Sequence, residues 1–477
     1  MALEGTSQPL ELLISVRRSA ALTLGSQIEQ RLRAAIRDGV LRPGSRVPST
    51  RDLAHQLGIS RRVVVDAYAQ LAAEGYLTVR QGARPRVSDA ATGARSSGGT
   101  AGPAPARPRF DFRPSTPDVS TFPRAAWLRS LRVAIASVTD ADLGYGDPRG
   151  VSVLRAALAD YLGRVRGVVA DPERVVVTNG YTQGLGLVCR ALEAAGAARI
   201  ALENPSNPED ATVAARAGLE PVPVGVDAGG IRLDELKRAD AEAVVLTPAH
   251  QNPSGVVLTG ERRKALVAWL RERGAIAIED DYDAEYRYDR IAIGALQGLD
   301  PSHVVYAGSL SKTLAPALRL GWLVVPPSLL DAVTEEKLLA DRGTARIEQY
   351  AFTDFLARGE LDRHLRRTRA RYRKRRDALV SALAASLPEA TVRGAAAGLH
   401  VTVELTPDDH EESIRAAARA RRIEIETLEE FRPGASDSPP ALVLGYAQMP
   451  EPTIRAGVVE LAEAVRAARR SGAGGRR

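Results

Sequence analysis

Six short runs are apolar through their middles with no polar alternation: "RVVVT" (174–178), "RIALE" (199–203), "AVVLT" (243–247), "AIAIE" (275–279), "HVVYAG" (303–308) and "LGWLVV" (320–325). A strand that alternates apolar and polar residues can face water on one side, whereas a strand apolar throughout must be covered on both. Helical stretches separate the runs, so the expected body is α/β, a sheet enclosed between helices. In such sheets ligands collect beyond the carboxyl ends of the strands. The polar stretches fall there. "TNGYTQG" follows the first run, "PAHQNPSG" the third, "DDYD" the fourth and "SLSK" the fifth. Past residue 370 the pattern becomes helix, strand ("GLHVTVEL") and helix again, a smaller α/β lobe.

This body does not begin at the N-terminus. The stretch "ATGARSSGGTAGPAPARPR" (91–109) has no periodicity and too little apolar surface to order itself, so it reads as a flexible linker. The organisation expected from these signals is a head over 1–88, a linker over 89–110 and a body over 111–470, with the small lobe from about 365. At 477 residues a division into at least two domains is the ordinary outcome. No apolar stretch approaches a membrane span, so no membrane contact is expected. The acidic start "MALEGTSQPLELL" lacks the features of a signal peptide. The lone cysteine, Cys189, rules out an intramolecular disulfide framework and fits a reducing cytoplasm, where this chain is expected to reside.

The formal net charge of +7 is distributed unevenly. Residues 1–110 hold 16 arginines, no lysine and 8 acidic residues, so the whole positive surplus lies in the N-terminal quarter, head and linker together, the mark of a segment that meets a polyanion. The head's pattern agrees. "SQIEQRLRAAIRDG" places Ile28, Leu32, Ala35 and Ile36 on one helical face, and two capped segments follow, "STRDLAHQLG" and "SRRVVVDAYAQLAAEG". A turn at Gly58–Ser60 joins them, and "YLTVRQGARPRV" forms a hairpin, which together make a winged helix-turn-helix. The second helix of such a pair enters the major groove of double-stranded DNA, so Ser60, Arg61 and Arg62 are candidate base-reading residues. Ser49, Thr50 and Arg51 at the start of the preceding helix, Arg46 before it, and Arg80 and Gly82 in the wing are candidates for the remaining operator contacts.

In "SLSKTLAPALRLGW" (309–322), Lys312 stands at the end of a buried strand between Ser309 and Ser311, with Arg319 seven residues on. A lysine beside hydroxyls and a cation suits pyridoxal 5′-phosphate: the amine condenses with the aldehyde while the hydroxyls, backbone N–H groups and arginine hold the phosphate. "NGYTQG" (179–184), between a strand and a helix, supplies further phosphate donors through Tyr181 and Thr182. Asp280, at a strand end, is placed to keep a pyridine nitrogen protonated, and Asn252 and Tyr282 are candidates for the ring hydroxyl.

These stretches, with "YGDPRG" (145–150), "QNPSG" and "EDDYDAEYRY" (279–288), resemble fold-type-I aminotransferases over residues 111–470. The head resembles GntR-type winged helices through residues 39–82, and the fusion of the two is similar to the MocR-type family of transcriptional regulators. The resemblance implies a large mixed seven-stranded sheet with a small C-terminal lobe. It also implies an internal aldimine at Lys312, with Asp280 on the ring nitrogen, Tyr282 and Asn252 on the ring oxygen, and Tyr181, Thr182, Ser309, Ser311 and Arg319 around the phosphate. Tyr145 would reach the phosphate held by a partner subunit, which implies a homodimer, domain-swapped head to tail. No metal is implied.

Two positions depart from the family pattern. Asn207, in "ENPSN", stands where relatives stack an aromatic on the cofactor, and Val443, in "ALVLGYA", stands where an arginine clamps a substrate carboxylate, with Arg432 nearby as a substitute. The expected function is a DNA-binding regulator that senses a small-molecule effector, the cofactor itself or an amino compound, and controls vitamin B6 or amino-acid metabolism. The alternatives are an active aminotransferase with an accessory DNA-binding head, and a dimerisation scaffold without chemistry.

Overall fold

The computed structural model describes residues 15–18, 22–80, 83–90, 108–283, 285–288, 293–394, 396–432 and 439–474. Two compact units divide between Ala106 and Arg107. Most of the expected linker (91–107) and the wing residues Gln81 and Gly82 lie outside the described residues.

The first unit contains α1 (Leu24–Arg37), α2 (Thr50–Leu57), α3 (Arg61–Ala73) and a hairpin of β1 (Leu77–Thr78) and β2 (Arg86–Val87). Ser49 caps α2 by accepting from Asp52 N (3.2 Å), and α2 stops at Gly58 in the left-handed region. The three-residue break before Arg61, Gly58 to Ser60, is therefore set by a C-cap and by the next N-cap, Ser60, which accepts from Arg62 N (3.3 Å). Ile28, Leu32 and Ile36 of α1 and Val64, Ala67, Tyr68 and Leu71 of α3 share one buried cluster, the face read from the 3.6-residue period. The Tyr68 hydroxyl donates to Pro48 O (2.9 Å) and so fixes α3 against the entry to α2.

The second unit is built on a large mixed sheet. After β3 (Phe110–Asp111), its strands are β4 (Val175–Thr178), β5 (Arg199–Asn204), β6 (Glu220–Asp227), β7 (Gly230–Ile231), β8 (Ala243–Leu246), β9 (Ile276–Asp280), β10 (Val304–Ser309) and β11 (Gly321–Val324). The spatial order is β4-β11-β10-β9-β8-β5-β6-β7. The pairs from β10 through β6 are parallel, while β11 is antiparallel to both its neighbours. All six apolar runs are strands. The sheet has eight strands where seven were expected, because Gly230–Ile231 folds back on the end of β6. Cys189 is buried in one of the apolar layers beneath the sheet, and burial pushes its thiol up to about 12, a packing residue and not a reactive one.

A smaller sheet, β12 (Thr391–Arg393), β13 (His400–Glu404), β16 (Ala441–Gly445) and β15 (Glu426–Thr427), forms the lobe. β3 pairs in parallel with β14 (Ile423–Glu424), so the chain just after the linker belongs to this lobe as well as residues beyond 365. The lobe is reached through a 27-residue helix, Glu360–Ser386, that buries Leu365, Tyr372 and Leu379 and turns Arg375 inward onto Asp118 (3.0 Å). No helix among the described residues is long and apolar enough to cross a membrane.

Candidate cofactor site and nucleic-acid interface

β10 leaves the core at Ser309, and the following turn is pinned by buried Leu310 and Leu314 on either side of Lys312. Among the described residues the Lys312 amine has no ion-pair or hydrogen-bond partner. Burial lowers its pKa, opposed by the more distant carboxylates of Asp280, Asp283, Glu209 and Glu426. A buried amine with a lowered pKa has a larger neutral fraction, the state that attacks a carbonyl.

Asp280 closes β9 one strand away, in register with Ala307 of β10. Strand alternation sends Asp280 and Asp281 to opposite faces. Asp281 turns inward, where it pairs with Arg166 (2.7 Å) and accepts from the Tyr306 hydroxyl (2.7 Å). Asp280 faces the rim with no cation. Burial, reinforced by Asp210, Asp281 and Asp283, lifts its carboxyl far above the usual range, with Lys312 pulling the other way. Such a group is stabilised as an anion only when a cation arrives beside it.

Asp280 lines a narrow cleft with Glu203, Asn207, Asp210, Thr247 and Asn252. Glu203 accepts from Thr247 N (3.0 Å) and Thr247 Oγ1 (2.9 Å), yet burial still lifts it to about 7. Asn207 caps the helix Pro208–Arg216 and donates from Nδ2 to Asp210 (3.0 Å), whose other oxygen accepts from the Tyr181 hydroxyl (3.2 Å). Tyr181 therefore offers the rim its backbone N–H, its hydroxyl being engaged elsewhere. Asn252 Oδ1 is buried in this cleft without a hydrogen-bond partner.

The opposite end is a basic cradle at a helix start. Ser309, Gly321 and Thr178 are in register across β10, β11 and β4, which sets the Ser309 turn beside the loop that begins the helix Tyr181–Ala194. Gly180 precedes that helix at φ 89°, and a Cβ there would stand 3.1 Å from the Arg319 guanidinium. Only glycine leaves this gap open. Arg319 donates to Asn179 O (2.5 Å), Thr182 is exposed in the first helical turn, and Ser311 lies next to Lys312. Exposed hydroxyls and helix N–H groups around an arginine form an anion site. Beneath the loop a buried network holds it: Lys337 Nζ donates to Gln183 (2.9 Å), Asp341 (2.7 Å) and Thr344 (2.9 Å), and Asp341 accepts from Asn179 Nδ2 (2.7 Å).

Tyr145 does not join this group. It is 87% exposed, with the Arg342 guanidinium 5.6 Å from its ring centre. Val443 lies on β16 opposite Thr402 and Glu426, packed with Leu428, Phe431 and Ala441. Thr402 Oγ1 donates to Pro253 O (2.6 Å), so β13 meets the Asn252 loop, while Val443 itself is fully buried. Arg432 is half-buried, its Nη2 donating to Pro439 O (3.3 Å).

In the first unit Arg46, Arg51, Arg61, Arg62 and Arg80 are all exposed. Arg61 leans on Thr50 Oγ1 (3.4 Å), and the Ser49 and Ser60 hydroxyls serve as helix caps. The sequence reading of the body missed His250, Asp283, Asp210 and Lys337; only the polar "PAHQ" and "DDYD" stretches carried a signal for the first two.

Residues 118–454 match the aminotransferase class I and II family, and residues 24–87 match the bacterial regulatory proteins of the gntR family. The chain is 30% identical to the HTH-type pyridoxine biosynthesis transcriptional regulator PdxR of Corynebacterium glutamicum, over 95% of this chain and 99% of that protein. It is 34% identical to the probable rhizopine catabolism regulatory protein MocR of Rhizobium meliloti, over 97% of each. The chain belongs to the MocR-type transcriptional regulators. Among solved structures this regulator's body resembles an archaeal alanine:glyoxylate aminotransferase (TM-score 0.70, 25% identity, covering 76% of this chain and 92% of that one). It also resembles the Thermus thermophilus α-aminoadipate aminotransferase LysN complexed with N-(5′-phosphopyridoxyl)-L-leucine (TM-score 0.68, 26% identity, covering 75% and 92%). The aminotransferase fold of the regulator is of a pyridoxal-phosphate-dependent class, and its gntR-type head is a DNA-binding module. The residues present fit the cofactor: an uncompensated buried carboxyl, an orphaned amide oxygen, an unpartnered amine and a cradle that a Cβ would fill.

Proposed function

We propose that this regulator takes pyridoxal 5′-phosphate at Lys312 and reads the state of that site as its effector signal, either the cofactor itself or an amino compound reacting there. The observation that carries the reading is the pairing of an unpartnered Lys312 with a cation-free Asp280 at the strand ends. When bound, the cofactor supplies an aldehyde for Lys312 and a pyridine nitrogen for Asp280. Ser309, Ser311, Thr182, the Tyr181 N–H and Arg319 hold the phosphate. Asn252 and Tyr282 hold the ring oxygen. Tyr145, exposed on one chain, completes the site of a second copy in a homodimer exchanged head to tail. Valine at position 443 removes a bidentate anchor for an amino-acid carboxylate, which favours sensing over turnover. The regulated genes belong to vitamin B6 or amino-acid metabolism, the first favoured by the likeness to the pyridoxine biosynthesis regulator.

The test is an electrophoretic mobility shift on the DNA upstream of the chain's own gene, with and without pyridoxal phosphate. A cofactor-dependent change in affinity, lost in K312A, is expected; an identical shift under both conditions would remove the sensor reading. In the same assay R61A should weaken specific binding by about tenfold or more, as for loss of one base-reading arginine. R80A should weaken all sequences alike and flatten the salt dependence.

A further inference from the structure

The outward face of α3 carries an apolar residue that the core does not use. Three valines follow one another at 63–65. Val64 is buried in the head's core with Ala67, Tyr68 and Leu71, and Val63 packs against that cluster. Val65 is turned away from it and is 41% exposed. A β-branched residue loses side-chain freedom in a helix, a loss that burial normally offsets. An exposed valine alone is ordinary surface; the neighbours of Val65 are what set it apart.

The head's arginines fall into two sets. Arg33 pairs with Glu74 (2.8 Å), and Arg37 donates to the Tyr76 hydroxyl (2.7 Å). Arg46, Arg51, Arg61 and Arg62 are exposed and have no ion-pair partner among the described residues. The contact of Arg61 Nε with Thr50 Oγ1 (3.4 Å) sets the start of α3 against the start of α2. Val65 follows Arg61 by four residues and Arg62 by three, so it lies one turn further along the same face. That face continues with Asp66 and Ala69, both exposed. None of these three side chains can hold a phosphate: valine and alanine offer no donor, and a carboxylate repels one. The first turn of α3 thus carries free cations, and the next carries methyl groups and an acceptor, a surface suited to base edges. On the major-groove edge the 5-methyl of thymine is the apolar group, and it distinguishes T·A from C·G.

We infer that Val65 is a specificity-determining residue that seats the 5-methyl group of one thymine in the site read by each head, one turn of α3 beyond the bases met by Arg61 and Arg62. The contact excludes water between two methyl-bearing surfaces, and withdrawing one methyl from water is worth about fourfold in affinity. Asp66 beside it repels phosphate and so keeps this part of the helix off the backbone. The inference rests on the head's reading of double-stranded DNA and is independent of the cofactor at Lys312.

The test selects sites from a random duplex pool with the full-length protein. Each thymine of a selected site is then replaced in turn by deoxyuridine, which removes the methyl and nothing else. One thymine per head is expected at which deoxyuridine weakens native binding by about fourfold. Val65→Ala should weaken binding to the thymine site by a similar factor and be indifferent to deoxyuridine there, so that the two losses do not add. Val65→Thr, which keeps a methyl on a side chain of the same shape, should retain the sensitivity. Alanine is the better helix former, so V65A keeps α3 folded. Native binding indifferent to deoxyuridine at every thymine, or a sensitivity unchanged in V65A, overturns the inference while leaving DNA binding by the head intact. A pool from which no site is enriched overturns the reading of the head, and the inference with it.

Discussion

Two of the regulator's five lysines are drawn into the body, Lys337 fully buried and Lys312 half-buried, and they are held differently. Lys337 has three hydrogen-bond partners, one of them the carboxylate of Asp341 at 2.7 Å. Lys312 has none within reach, only carboxylates at longer range. Both amines pay desolvation first and have lowered pKa values. At Lys337 a short ion pair opposes that shift; at Lys312 only diffuse charge does. A buried amine with a full set of acceptors is a structural ion, and one left without them is held ready for a partner from outside. The same contrast separates Asp281, closed onto Arg166, from Asp280, open to the rim.

The contrast can be broken from several directions. The largest effect is expected for K312A, which should abolish covalent retention of pyridoxal phosphate, measured as absorbance after desalting; retention at the native level would erase the distinction between the two lysines. K337M should leave the covalent attachment in place but destabilise the body by about 2–3 kcal/mol in denaturant unfolding, less than the loss for a fully buried pair because Asp341 keeps some contact with water. A change below about 0.5 kcal/mol would make the Lys337 network ornamental.

A third expectation concerns the carboxyls of the cleft. Burial holds Glu203 and Asp210 at about 7 in the folded protein, against 4.5 and 3.8 for free groups. A raised acid binds its proton more tightly when folded, so its penalty is absent below the free value and grows as pH rises toward 7. E203Q should therefore raise the melting temperature of the cofactor-free protein by a few degrees at pH 8 and by less at pH 5. Equal gains at both pH values would place the Glu203 titration elsewhere. The smallest effect is expected for V443R, which should let an α-amino acid perturb the bound chromophore at lower concentration without altering cofactor retention; no change would remove Val443 from the effector side.

Much of this arrangement is legible in the sequence because each strand end carries its own polar signature. The six core strands, Lys312, Asp280 and the two cap-bounded helices of the head are local patterns, and local patterns survive folding. β6 was not legible. Its "EPVPVGVD" places Pro221 and Pro223 in a strand, tolerated because their missing N–H groups cost nothing away from the β5 pairing. Lys337 was hidden for the opposite reason: a lysine four residues before an aspartate on a helix looks like a solvated pair, and only the fold reveals that Gln183 and Thr344 close over it. His250 and Asp283 lie 33 residues apart on different loops, so their contact exists only once β8 and β9 have paired.

The most direct measurement is site mapping of the cofactor. The protein is incubated with pyridoxal phosphate, reduced with borohydride, digested and read by mass spectrometry. The expected result is one modified peptide, carrying the adduct on Lys312, with Lys337 and the three remaining lysines unlabelled. Adduct spread over the exposed lysines, or found on Lys337, would contradict the assignment of the reactive amine.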